Sequence, residues 1–166
     1  MAQEPVRLKY RCLLPTKPDL ADDGRRLDLK VIFTDLRETG AALTIARTMA
    51  RGLGARITLM VAQVVPYPLP LAEPDVSAEF TERRLESLAA EDTAVEIYLC
   101  RDRCETIRRA LPPGSVVIVG APKWRWWPSW FYSPSWFYSP SWFYSWERQL
   151  ARMLRRDGQR VLVMTV

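Results

Sequence analysis

An aspartate that ends one apolar run, Asp35 in "LKVIFTD", and a glycine that ends another, Gly120 in "SVVIVGA", are placed to meet a ligand. Thr34, Lys123 and Ser145 add two hydroxyls and an ammonium in the same stretches. A carboxylate, hydroxyls, a cation and an unobstructed backbone suit the holding of a small polar molecule better than the breaking of its bonds. The 166 residues include no histidine. This removes the usual general base and the usual metal ligand, and it excludes Ser-His-Asp and Cys-His catalysis. We therefore expect no enzyme, no resident metal and no catalytic residue.

The cysteines are Cys12, Cys100 and Cys104. Their odd number and the lack of CxxC spacing argue against a disulfide framework or a zinc site. Cys100 and Cys104 admit two readings. Arg101, Arg103 and a helix N-terminus would lower a thiol pKa, whereas the burial habit of cysteine would place both in the core. The second is the commoner fate.

These residues need elements to position them. "LKVIFTD" (29–35), "ARITLMVAQVV" (55–65) and "SVVIVGA" (115–121) are continuous apolar runs, as in strands buried on both faces. "AVEIYLC" (94–100) and "QRVLVMTV" (159–166) complete five strands. Helical spacing runs from Thr39 to Leu53, with Ala42, Ile45, Ala46, Met49 and Leu53 inward and Gly52 and Gly54 closing it. A second helix is expected over Asp75–Ala90, with Ala78, Thr81, Leu85 and Leu88 inward. A third, capped by Asp102, turns Cys104, Ile107 and Leu111 inward. A last helix over 146–157 buries Trp146, Leu150, Met153 and Leu154.

Strands alternating with helices predict a three-layer α/β/α sandwich around a five-stranded, mostly parallel sheet of order 3-2-1-4-5. Ligands of such sheets bind beyond the C-terminal ends of the strands, where strand order reverses. That point falls at Thr34, Asp35, Gly120 and Ala121. Residues 1–28 read as an extension: Leu8–Leu14 forms a short strand at most, and Pro15, Pro18 and Asp22-Asp23-Gly24 break structure. The domain proper is 29–166.

The order and spacing of these elements, with "VIFTD", "VVIVGAPK" and the closing "WERQLARMLRRDGQRVLVMTV", resemble the universal stress protein (UspA-like) family. The resemblance implies an adenine-nucleotide alpha-hydrolase-like fold and a stress-response protein with regulatory or binding duty. Nucleotide-binding members place an Asp against the adenine and carry a G-x2-G-x9-G-[ST] motif whose glycines admit phosphates to the backbone amides. Asp35 and Gly120 match that Asp and the first glycine, and Ser145 takes the Ser/Thr place. The second glycine position holds Lys123, and the third falls on Tyr144. Two glycines are gone, so we expect a degenerate site without a cofactor, with weak ATP binding as the alternative. Asp35 is equally suited to bonding turn amides. The resemblance also implies a homodimer through the last strand, at Val161, Val163 and Thr165.

Between Lys123 and Gln149 lie three identical copies of Pro-Ser-Trp-Phe-Tyr-Ser, starting at Pro128, Pro134 and Pro140. Thirteen of the chain's eighteen aromatic residues fall within 124–146, so this loop sets most of its aromatic surface. Taking away two copies brings Ser145 within one place of the family spacing. The extra copies therefore read as tandem duplication in a surface loop. An exposed surface at Trp126, Trp127, Trp130, Trp136 and Trp142 would suit a protein or membrane-surface contact. The repeats carry no cation to track a phosphate backbone, and the net charge of +5 is spread along the chain. Nucleic acid is not the expected partner. The first residues lack an apolar core of signal-peptide length, so a cytoplasmic location is expected, with membrane association as the alternative.

Overall fold

The computed structural model describes residues 6–8 (backbone only), 27–71, 85, 88, 92–123 and 146–165. Six strands, β1 (Val6–Leu8), β2 (Asp28–Ile32), β3 (Arg56–Val64), β4 (Thr93–Cys100), β5 (Val116–Ala121) and β6 (Arg160–Thr165), form one sheet in the order β1-β4-β3-β2-β5-β6. Strands β2 to β6 are parallel to one another. Counted from β2, this is the expected 3-2-1-4-5 order of a three-layer α/β fold.

The sixth strand lies outside the expectation. Val6–Leu8 pairs antiparallel with β4, with Val6 opposite Leu99 and Leu8 opposite Ile97. Apart from Leu8, the strand expected over Leu8–Leu14 lies outside the described residues, as do all of residues 9–26. Antiparallel pairing at a sheet edge needs no crossover helix, so a short segment suffices.

Alternation along the strands divides the core. Leu29 and Val31 of β2, Ile57, Leu59 and Val61 of β3, Ile97 of β4 and Ile118 of β5 pack with α1 (Leu36–Leu53) and Leu85. Ile32, Met60, Ala62, Tyr98, Val117 and Val119 face the other way. They meet Ile107 of α2 (Arg103–Ala110) and Leu150 and Leu154 of α3 (Trp146–Arg156).

Helix α1 starts three residues before the expected Thr39, because Asp35 caps it: Asp35 Oδ1 accepts from Arg37 N at 2.8 Å. Gly54 closes it at φ 63°, and its N–H bonds to Ala50 O. The buried stripe is Thr39, Ala42, Leu43, Ala46 and Ala50. Ile45 and Met49 are only partly buried, and Leu53, expected inward, is 58% exposed. Small alanines let the helix sit close to the sheet, which rolls the larger residues to its flank. The expected helix over Asp75–Ala90 lies outside the described residues except for Leu85, which is buried, and Leu88. Helices α2 and α3 fall where expected, each within a residue or two. Among the described residues no helix is long and apolar enough to cross a membrane.

Candidate functional site: the crevice between β2 and β5

Strand order reverses between β2 and β5, and the turn leaving β2, the start of α1 and the end of β5 bring together Thr34, Asp35, Glu38 and Gly120. The first three come from one turn. Thr34 N donates to Thr39 Oγ1 at 3.1 Å, which folds the chain back as the helix begins. Asp35 then has extended geometry, φ −146° and ψ 164°, and caps α1 with its carboxylate.

Glu38 stands three residues after the cap, the capping-box spacing. Its carboxyl shares a hydrogen bond with the Asp35 carboxyl, and this contact, aided by burial, pushes the Glu38 pKa up from the ordinary carboxylate range. Two carboxyls share a bond only if one keeps its proton. Glu38 Oε2 and Thr34 Oγ1 are both shielded from solvent without a hydrogen-bond partner.

The sign of the pH effect follows. A carboxyl whose folded pKa is raised contributes nothing unfavourable below its unfolded value. Stability is lost as pH rises from there through the folded value, since the folded state holds its proton longer. Glu38→Gln keeps a donor to Asp35 and cannot ionise. We expect the variant to melt higher than the parent at pH 7, with the difference closing as pH falls through the carboxylate range. Melting curves from pH 3 to 8 check this; a constant offset would exclude the shared proton.

Gly120 packs against the same turn. A Cβ built on it would lie 2.5 Å from Glu38 O and 2.7 Å from Glu38 C. Those are main-chain atoms of α1, fixed by the helix. The missing side chain thus lets the first turn of α1 seat on the end of β5. Lys123 is exposed two residues beyond β5. Ser145 and the five tryptophans Trp126, Trp127, Trp130, Trp136 and Trp142 lie outside the described residues.

Beside the crevice, two arginines stack on aromatic rings. Arg101 lies 4.1 Å from the centre of the Tyr67 ring and donates to Val65 O and Leu69 O. It thereby ties the loop after β3 to the end of β4. Arg103, at the start of α2, lies 4.6 Å from the Trp146 ring at the start of α3.

Cys100 is buried, donates to Gln63 O and has its pKa raised by burial. Cys104 is partly buried, packs against the core and is raised for the same first reason. The core reading holds for both thiols, because desolvation outweighs the nearby Arg103. Of the proposed dimer residues, Val161 is buried, Val163 half-buried and Thr165 exposed, and β6 borders only β5 in the sheet.

Sequence reasoning brought Thr34, Asp35 and Gly120 to one place correctly but missed Glu38. The D-x-x-E spacing at 35–38 was the signal available. Among the described residues no group of His, Cys, Asp or Glu is arranged to hold a metal ion.

The fold defines the class: a three-layer α/β domain on a five-stranded parallel sheet, with polar residues gathered where strand order reverses. Searches among family models, curated proteins and solved structures gave no match to the chain.

Proposed function

We propose that the chain is a binding or regulatory domain of the universal-stress-protein type, without catalysis, whose nucleotide crevice has been turned to structural use. The observation that carries this reading is the contact between Gly120 and the Glu38 main chain. In a nucleotide site this glycine would leave room for a ligand to approach the backbone. Here α1 takes up that room. Asp35, the residue matching an adenine contact, is engaged with Arg37 N and Glu38. The Asp35–Glu38 pair also adds negative charge where a nucleotide would bring more.

The test is thermal shift with Mg-ATP. A ligand at a hundred times its Kd stabilises by about 2.7 kcal/mol. We expect 5 mM Mg-ATP (roughly that excess for a site of ~50 μM Kd) to leave the melting temperature unchanged. A rise that disappears in Asp35→Ala would replace this reading with retained nucleotide binding.

A further inference from the structure

In the sheet, β1 borders β4 alone. The two sides of β4 are held very differently. Along β3 it pairs over its full length, from Thr93 opposite Ile57 to Cys100 opposite Val64. Along β1 it pairs only from Ile97 to Leu99.

One bond shows which backbone groups of β4 serve which neighbour. Val65 N, just past β3, donates to Cys100 O at 2.9 Å. Successive residues of a strand turn their N–H and C=O groups to opposite sides. Glu96, Tyr98 and Cys100 therefore bond toward β3, and Ile97 and Leu99 face β1. Leu8 stands opposite Ile97 and Val6 opposite Leu99, so these are the pairs that exchange hydrogen bonds. Arg7, opposite Tyr98, turns its N–H away from β4.

The side chains of β4 have partners elsewhere. Ile97 packs in the cluster with β2, β3 and α1. Tyr98 packs in the cluster with α2 and α3, and Leu99 packs with Val65 and Leu71. Loss of β1 would bare backbone groups of β4 while its side chains stay seated. Units with few bonds and little packing of their own open at low free energy, ahead of the domain.

We propose that β1 is a strap: it closes the β4 edge, and it opens by itself while the parallel sheet stays folded. A bare edge is where a sheet pairs with further extended chains, so the strap governs the exposure of this one. β3 stands between β4 and the crevice strands β2 and β5, so opening leaves Asp35 and Gly120 in place.

Residue-resolved amide hydrogen exchange on the full chain tests this. In the parent, Ile97 and Leu99 are expected to be about a hundredfold less protected than Tyr98 and Cys100, because opening of the strap frees only the groups facing β1. Leu8→Pro deletes the N–H that bonds to Ile97. It should lower the protection of Ile97 and Leu99 by about a further tenfold and leave Tyr98 and Cys100 unchanged. Arg7→Pro deletes an N–H that faces away from β4, and as the matched control it should leave all four amides near their parent values. Equal protection of the four amides in the parent would overturn the proposal, since β1 would then open only with the domain. So would a Leu8→Pro chain in which Tyr98 and Cys100 lose as much protection as Ile97 and Leu99, or in which none of the four changes. Arg7→Pro matching Leu8→Pro would overturn it too, because the bonds closing the edge would then not be those of Val6 and Leu8.

Discussion

Gly120→Ala is expected to destabilise the chain by about 3 kcal/mol, toward the upper end for an overpacked core site. The added methyl would sit 2.5 Å from Glu38 O, and the atoms it meets are backbone. A flexible side chain would swing away, but a helix turn pinned by the Asp35 cap must move as a body. Moving it disturbs the Thr34–Thr39 bond and the seating of Leu43 and Ala42 on the sheet. For a domain of this size the melting temperature should fall by roughly 6–12 °C. Gly52→Ala is the matched control. Gly52 lies inside α1 with nothing within 4 Å of the added carbon. There alanine should stabilise by about 0.5–1 kcal/mol through helix propensity. Equal melting temperatures for Gly120→Ala and the parent would show that the glycine does not serve packing, and would reopen its reading as part of a ligand cradle.

The second large effect is expected at Lys30→Met. Lys30 is only 8% exposed and lies within β2, with its ammonium 2.8 Å from Asp28 and 3.8 Å from Glu96. Thr58 Oγ1 also donates to Asp28, and the Tyr98 hydroxyl to Glu96. Those neutral bonds orient the acids but do not cancel their charge. Methionine fills much of the lysine's volume, so the loss should report charge more than cavity. Breaking a buried pair costs about 3–5 kcal/mol when one ion is left alone. Because Asp28 and Glu96 keep side-chain exposures of 36% and 20%, solvent screening brings the expected loss below that range, to about 2–3 kcal/mol. Adding Asp28→Asn to Lys30→Met should recover a good part of the loss, since the two charges depend on each other. Chemical denaturation of the single and double variants measures this. Additive losses would mean that Lys30 acts through its methylene stem.

Lys30 also illustrates how far the sequence could be read. "LKVIFTD" reads as a buried apolar run, and it is one, apart from this lysine. Strand parity places Lys30 with Asp28 and Ile32, on the face of α2 and α3. The sequence holds no sign that Glu96 comes within reach, because β2 and β4 meet only through the intervening β3. Helix α1 shows the same limit at closer range. Its existence follows from spacing and its end from Gly54. Of the expected inward stripe, Ala42 and Ala46 are buried and Ile45 and Met49 partly so, but Leu53, at the open end of the helix, is exposed.

The crevice was half legible. Asp35 and Gly120 each end an apolar run, so their meeting follows from strand order alone. What Gly120 faces is not written in any local pattern: the same residue serves a phosphate cradle or a close helix contact, and only the position of Glu38 separates the two.

The sequence by itself determined the five strands, the helices after the first, third and fourth of them, and hence a parallel sheet, because periodicity and turn residues act over a few neighbours. It also determined the absence of histidine chemistry, which needs no fold to establish. Tertiary structure alone decided that Val6–Leu8 joins the sheet and that Lys30 comes within reach of Glu96. It also decided that Gly120 seats the first turn of α1. Each of these depends on distances between residues more than sixty positions apart in the chain, and such distances are set by packing the whole domain at once.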